Sequence, residues 1–389
     1  MTPDASDASL EGLTVVTKST NALITQFETL LHSIALDKPV AHSSAAPDTP
    51  AVAGSVDALA LAHDSASLVK AHTTKLSLLV INEPFTPSAI ARVLRELVAG
   101  PIPGLASAVQ VCEVHSHTSV TRHELAWRCY RVLKELRGFI ELIPLDGKTL
   151  SANKKNGAKG DKGSMVSTGV IWAACDDVIL LKKLGIAGLL VKKAEEYRDT
   201  LQDVLDELKE WSEEVEEEED DDDDDDDDSE GDGQVQGVTD QMNATHLSAQ
   251  EMIDDLMTAQ HIPRGDPDRI RERLDSCLKR LRLTALLYSA IIKRRLKALP
   301  PLSDTTSSVM QRLDELFPIL KRLPLRFGDA ACAFYELDPV AIDNALDTCF
   351  FDAFAAAEML KSPWDKSKGT SDEFTTWADK FQTSIKKPA

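Results

Sequence analysis

Aromatic residues are scarce in this chain of 389 residues, since Phe, Tyr and Trp together make up 5%. A hydrophobic content of 43% still provides enough apolar side chains for a core, which must consist mainly of Leu, Val, Ile and Ala. This composition suits helix bundles better than β-sandwiches. No alternating run of convincing length predicts a strand. The chain is therefore predicted to be all-α.

Signatures of catalysis and of metal binding are also lacking. The sequence contains no GxSxG, GxxxxGK[ST] or HExxH motif, and its six cysteines show no CxxC spacing. Scattered cysteines within helical patterns predict buried thiols in a reducing compartment. Cys112, His115, His117 and His123 are close in sequence, but residues two apart on a helix do not share a face. We expect a non-enzymatic protein without a cofactor or a metal.

Two targeting features are missing as well. The N-terminus has neither the basic start nor the apolar segment of a secretory signal. No window of about 18 apolar residues predicts a membrane span, so we expect no membrane association.

The net charge of −21 comes almost entirely from one stretch. Residues 213–232 hold 17 acidic residues and no Lys or Arg, and the other 47 acidic residues nearly balance the 43 basic ones. Because like charges repel and nothing apolar is available to bury, residues 213–245 are predicted to be a disordered acidic tract. Residues 213–232 could bind basic proteins, and Ser229 is a candidate site for an acidophilic kinase.

The acidic tract divides the chain into two predicted lobes. Residues 1–212 form an N-terminal helical bundle with flexible linkers at 37–54 and 144–166, and residues 246–389 form a C-terminal helical region. Hydrophobic periodicity predicts helices over residues 10–36, 55–82, 87–99, 105–143, 168–185, 187–211, 247–259, 266–299, 308–323, 339–360 and 371–385.

The strongest pattern in the chain lies just before the acidic tract. Ser167 or Thr168 is a good N-cap and Gly185 is a natural C-cap. The helix that follows Gly185 has apolar residues at alternating steps of three and four. Such a seam is either bundle core or a partner interface, and we favour bundle core. The seam consists of Leu190, Tyr197, Leu201, Val204, Leu208 and Trp211, with Ile171, Trp172 and Val178 predicted opposite it.

Residues 264–297 carry 11 Lys and Arg. They could bind nucleic acid, or Lys293, Arg294 and Arg295 could act in nuclear import. The interpretation we favour is the solvated face of an amphipathic helix. A third interpretation has the acidic tract fold back on the basic helix 266–299 and compete with polyanions.

Three segments resemble the cyclin-D-interacting protein family, and specifically its fungal-type members. They read HELAWRCYRVLKEL, STGVIWAACD and KKLGIAGLLVKKAEEYRDTLQDVLDELKEW, and an acidic run follows the last. The resemblance implies an all-helical protein whose N-terminal bundle is similar to vinculin and α-catenin. It implies a helix-loop-helix of residues 168–183, 184–188 and 189–211 that lacks a DNA-binding basic region.

The resemblance also implies a function. Members of the family bind D-type cyclins and transcription regulators. They repress the cell cycle and transcription, and they occur in the nucleus and the cytoplasm. Sequence-specific DNA binding is not expected, because glycines interrupt the basic stretch before Thr168. Two other functions remain open: a vinculin-like cytoskeletal adaptor, and an acidic, histone-chaperone-like binder of basic proteins.

Overall fold

The computed structural model describes residues 5–36, 56–150, 161–217, 262–263, 265–300, 307–364, 369 and 371–386. The helices are α1 (Ala5–Ala35), α2 (Ala58–Ile81), α3 (Pro87–Ala99), α4 (Pro101–Val111), α5 (Val114–His117), α6 (Ser119–Glu141), α7 (Asp161–Glu217), α8 (Ile270–Ile291), α9 (Ser307–Tyr335), α10 (Pro339–Met359) and α11 (Glu373–Ser384). A π-helical turn, Ile292–Leu296, follows α8. No strand occurs in these ranges, so the predicted all-α class is confirmed.

Contacts divide the chain into two compact units. Unit 1 comprises Met1–Leu190 and Pro300–Asp314, and unit 2 comprises Val191–Leu299 and Glu315–Ala389. Each unit therefore takes residues from both sides of the acidic tract. The division also differs from the predicted boundary at residue 212, because the last part of α7 is grouped with the C-terminal helices.

Unit 1 is a bundle in which α1 packs against α3 and α6, and α2 packs against α3 and α4. Its fully buried side chains are mostly aliphatic, with Leu13, Ile24, Leu76 and Leu94 among the largest. Phe139 is an aromatic member of this core. The aliphatic core agrees with the low aromatic content.

The single helix predicted over residues 105–143 is wrong. Three shorter helices, α4, α5 and α6, occupy this stretch. The helical path ends at Thr118, whose φ of 70° lies in the left-handed region. Thr118 instead caps α6, since its hydroxyl accepts a hydrogen bond from the Thr121 amide. Asp314 adds a second cap by accepting hydrogen bonds from the backbone amide and the hydroxyl of Ser119, at 2.7 and 2.8 Å.

Unit 2 contains α8, α10 and α11, and α8 packs against the other two. Asp338 caps α10, because its carboxylate accepts hydrogen bonds from the amides of Val340 and Ala341. The predicted helix 308–323 is too short: α9 continues through Pro318 and Pro324 to Tyr335. Residues 307–314 of α9 are grouped with unit 1, and the remainder with unit 2.

The π-helical turn after α8 carries a buried arginine that ties three elements together. Arg295 donates hydrogen bonds to both carboxylate oxygens of Asp372, at 2.7 and 3.0 Å, and to the carbonyl of Leu360 at 2.8 Å. Its guanidinium lies over the ring of Phe374. Asp372 is also the N-cap of α11, so one arginine joins the end of α8, the end of α10 and the start of α11.

Several predictions fall on residues that the structure does not describe. They are the linker over residues 37–54, the part of the acidic tract after residue 217, the helix predicted over residues 247–259 and the phosphorylation site at Ser229.

Candidate interaction surface

Helix α7 contains the strongest sequence pattern, and it bends at Gly185. This residue has φ 63° and ψ −176°, a conformation essentially restricted to glycine. The bend lies where the sequence predicts a C-cap. The helix begins at Asp161, within the segment predicted as a linker, and Thr168 is not its N-cap. The Thr168 hydroxyl is buried and lies 3.2 Å from that of Ser77 on α2.

Before the bend, α7 is anchored in unit 1 by charged side chains as well as by apolar packing. Lys70 on α2 contacts both carboxylate oxygens of Asp176, at 2.6 and 2.7 Å. On α6, Arg128 donates a hydrogen bond of 2.6 Å to the carbonyl of Asp177, and Arg131 donates one of 3.0 Å to its carboxylate. This stretch of α7 is therefore held by both α2 and α6.

Two of the three residues predicted opposite the seam lie in the core of unit 1. Ile171 and Val178 are fully buried there. Trp172 is different, because 38% of its surface is exposed.

Trp172 belongs to an exposed apolar surface that we call the outer face of α7. Its other members are Val166, Val170 and Leu180, which are 61%, 37% and 39% exposed. At 100° per residue, the four side chains lie within an arc of about 160° on the solvent side of the helix. Exposed apolar side chains clustered on one helix face are typical of protein interaction sites.

The seam residues after the bend are mostly buried. Leu190, Leu201, Leu208 and Trp211 are at most 5% exposed, and Tyr197 and Val204 are half-buried. Leu190 ends the first of the two segments of unit 1, whereas the other five residues are grouped with unit 2.

The end of the seam packs against α9. The ring of Trp211 meets the ring of Tyr335 edge to face, with centroids 5.3 Å apart. The Tyr335 hydroxyl donates a hydrogen bond of 2.9 Å to Glu207. Burial and, after it, this hydrogen bond to a carboxylate raise the pKa of Tyr335 above its usual range.

These positions change the picture of a helix-loop-helix. The two predicted helices correspond to two helical stretches of α7 that meet at a kink, and Gly185 is the residue with non-helical backbone angles between them. Ile171 and Val178 are grouped with unit 1, while Leu201, Leu208 and Trp211 are grouped with unit 2. That the seam also binds a partner stays a prediction.

Sequence reasoning missed three members of the outer face and one buried seam residue. Val166 falls within the segment predicted as a linker, and Val170 and Leu180 are not among the predicted site residues, although all three side chains are exposed. Leu205, which is 5% exposed, follows Leu201 by one helical turn and could have been found from that spacing.

The described residues hold no group of three or more His, Cys, Asp and Glu side chains that could bind a metal ion. Among the described helices, none has a stretch long and apolar enough to cross a bilayer. Five of the six cysteines are buried and Cys332 is exposed. The prediction of buried thiols is therefore confirmed except at Cys332. Burial raises the pKa of Cys112, Cys175, Cys277 and Cys349 to about 12.

Two comparisons place the chain among known proteins. It is similar to an uncharacterised protein of Schizosaccharomyces pombe, with 22% identity over 324 residues that cover 83% of this chain and 82% of the relative. Residues 62–214 match the family model described as the N-terminal region of Grap2 and cyclin-D-interacting proteins. The match begins in α2 and ends near the end of α7, so it includes both the outer face and the seam. The resemblance inferred from the sequence is thus confirmed for residues 62–214, which match the N-terminal region of the Grap2 and cyclin-D-interacting family.

Proposed function

We propose that this protein is a non-enzymatic regulator that binds a D-type cyclin through the outer face of α7. It acts in the nucleus and the cytoplasm as a negative regulator of the cell cycle and of transcription. The family that matches residues 62–214 is named for its interaction with cyclin D, which supports a partner of this kind.

One structural observation carries the choice of surface. The seam faces inward, whereas Val166, Val170, Trp172 and Leu180 expose apolar area on the part of α7 that lies inside the matched domain. A partner can reach these side chains without unfolding either unit. Tryptophan in such a surface is a typical hot-spot residue, because it buries a large area on binding.

The test is the binding of the purified full-length chain to a D-type cyclin, measured by titration calorimetry. Replacing Trp172→Glu together with Leu180→Glu places two charges in the interface. We expect the affinity to fall at least about tenfold, which corresponds to roughly 1.4 kcal/mol. Circular dichroism and the midpoint of urea unfolding must show that the double variant remains folded.

The matched control is Leu325→Glu. Leu325 on α9 is 65% exposed and belongs to unit 2, so its substitution should leave the affinity unchanged. Unchanged binding by the Trp172→Glu, Leu180→Glu variant would show that the outer face is not the interface. Absence of binding between the wild-type chain and any D-type cyclin would refute the proposed partner.

A further inference from the structure

Eight of the basic residues of α8, its π-helical turn and the adjacent Lys297 fall into two groups. Four of them are held by other groups of unit 2. Arg273 pairs with Asp343 at 3.1 Å, and Arg295 pairs with Asp372. Arg294 donates a hydrogen bond to the carbonyl of Glu373, and buried Arg280 donates one to the carbonyl of Ile385. Arg294 and Arg295 are thus engaged in the fold, which argues against a simple import signal at Lys293, Arg294 and Arg295.

The second group, which we call the basic stripe, consists of Lys279, Arg282, Lys293 and Lys297. All four side chains are exposed. Within the part of the chain that the structure describes, they form no ion pair. Asp275 precedes the stripe by one helical turn, but residues 276–303 contain no acidic residue at all. The stripe is therefore a positively charged surface, and its own helix places no acidic residue among the four basic side chains.

We propose that the basic stripe binds the acidic segment 218–232 of the same chain, and that this contact blocks the stripe against other polyanions. The segment has 13 acidic residues among 15 and no basic residue. The segment supplies the negative charge that the stripe lacks. Because both belong to the same chain, each stripe has one acidic segment. This inference does not depend on the cyclin proposal.

Chain connection makes the contact feasible. The acidic segment follows Glu217, the last residue of α7, and the chain returns to the described part at Ile262, shortly before α8. Both of these residues belong to unit 2. The stripe runs over 19 residues from Lys279 to Lys297, and the 18 steps between them measure about 27 Å at 1.5 Å per residue. Fifteen extended residues reach about 50 Å, so the segment is long enough to follow the whole stripe.

The contact should be electrostatic and reversible. Exposed ion pairs are individually weak and are screened by salt. Covalent connection gives a high effective concentration, so several weak pairs suffice at low ionic strength. A free polyanion must displace the acidic segment before it can use the stripe.

The first experiment compares the binding of fluorescent single-stranded DNA to the full-length chain and to a variant whose acidic residues in 218–232 are replaced by Gly and Ser. This variant keeps the length of the connection. At 50 mM salt we expect it to bind at least about tenfold more tightly than the wild type. If four cations engage the DNA, the slope of log K against log salt should be about −3.

The gain must depend on the stripe, because removing negative charge raises polyanion binding at any surface. Replacing Lys279, Arg282, Lys293 and Lys297 by Gln in the Gly/Ser variant should return the affinity to the wild-type value. A gain that survives this replacement, or no gain at all, would overturn the proposal.

Zero-length carbodiimide cross-linking tests the contact directly in the wild-type chain. Mass spectrometry should find carboxylates of 218–232 joined to Lys279, Lys293 and Lys297 at 50 mM salt, and these links should disappear at 0.5 M salt, where the Debye length is about 4 Å. Lys321 on α9 is an exposed lysine of the same unit and serves as the control. Equal cross-linking of Lys321 would show that the segment has no preference for the stripe.

Discussion

The Tyr288 hydroxyl donates a hydrogen bond of 2.6 Å to the carbonyl of Leu320. In a regular helix this carbonyl would accept from the amide four residues later, but that residue is Pro324, which has no N–H. Tyr288 is fully buried, so water cannot easily supply the missing donor. A side chain of α8 thereby allows α9 to continue through a proline.

We expect Tyr288→Phe to destabilise the protein by about 1–3 kcal/mol, because it leaves the buried carbonyl of Leu320 without a donor. Chemical unfolding followed by circular dichroism measures this loss. Pro324→Ala restores the amide donor, so the Tyr288→Phe substitution should cost less in that background. Equal costs in the two backgrounds would show that the hydroxyl does not compensate for the proline.

The bend of α7 should be sensitive to a single methyl group. Gly185→Ala forces alanine into backbone angles that L-residues avoid, which should cost of order 1–3 kcal/mol of stability. Gly169 lies in the helical part of the same element, is exposed and has open space around its Cα. Gly169→Ala should therefore stabilise the protein by about 0.5–1 kcal/mol. A loss of stability in both variants would show that the backbone angles of Gly185 are not the cause.

Because the seam packs in the core, shortening one of its side chains should strongly reduce the stability of the protein. Leu201→Ala should destabilise the protein by about 2–5 kcal/mol, because Leu201 is fully buried. Val166→Ala on the outer face should change stability by at most about 0.5 kcal/mol. Urea unfolding curves of both variants measure the difference. If Leu201→Ala costs no more stability than Val166→Ala, the seam is not part of the core.

The ion pair between Arg295 and Asp372 makes the stability of the protein depend on pH in the acid range. Hydrogen bonds from Arg295 lower the pKa of Asp372 to about 2. In the unfolded chain this carboxyl titrates near its ordinary value of about 3.9, so its contribution is complete above about pH 4 and is lost as the pH falls toward 2. Asp372→Asn should remove this part of the pH dependence between pH 4 and 2. Parallel stability–pH curves for the variant and the wild type would contradict the assignment.

The thiols should react in two classes. Cys332 is exposed, and the other five cysteines are buried. Because burial also raises the pKa of Cys112, Cys175, Cys277 and Cys349 to about 12, their thiolate form is scarce at pH 8. Ellman's reagent should label one thiol quickly in the native protein and six after unfolding. The Cys332→Ser variant should lose the fast phase.

The sequence predicts the helices well wherever local signals mark their ends. Asp338 before Pro339 gives the start of α10, and Gly185 gives the bend of α7, since both depend on backbone conformations that particular residues favour. The boundary at Thr118 could not be read, because a threonine with φ of 70° is held there by its surroundings, including the contact between Asp314 and the adjacent Ser119.

The candidate surface is harder to predict than the helices. Periodicity identifies the seam, but it cannot tell an intramolecular core from an interface, because both are apolar stripes. The outer face emerges only once α2 and α6 are known to cover the other side of α7. The burial of Arg280 and Arg295 was equally hidden, since their acceptors come from α10 and α11 or their ends.

The cap that Asp314 provides to Ser119 has a consequence for how the protein is made. A ribosome completes the first 190 residues of unit 1 well before residue 314 is synthesised, and the acidic tract and all of α8 come in between. Thr118 can cap α6 as soon as that helix forms, but unit 1 gains the second cap from Asp314 only when the later segment arrives. Truncation after α7, although natural from the sequence, would produce a bundle that permanently lacks one of its own pieces.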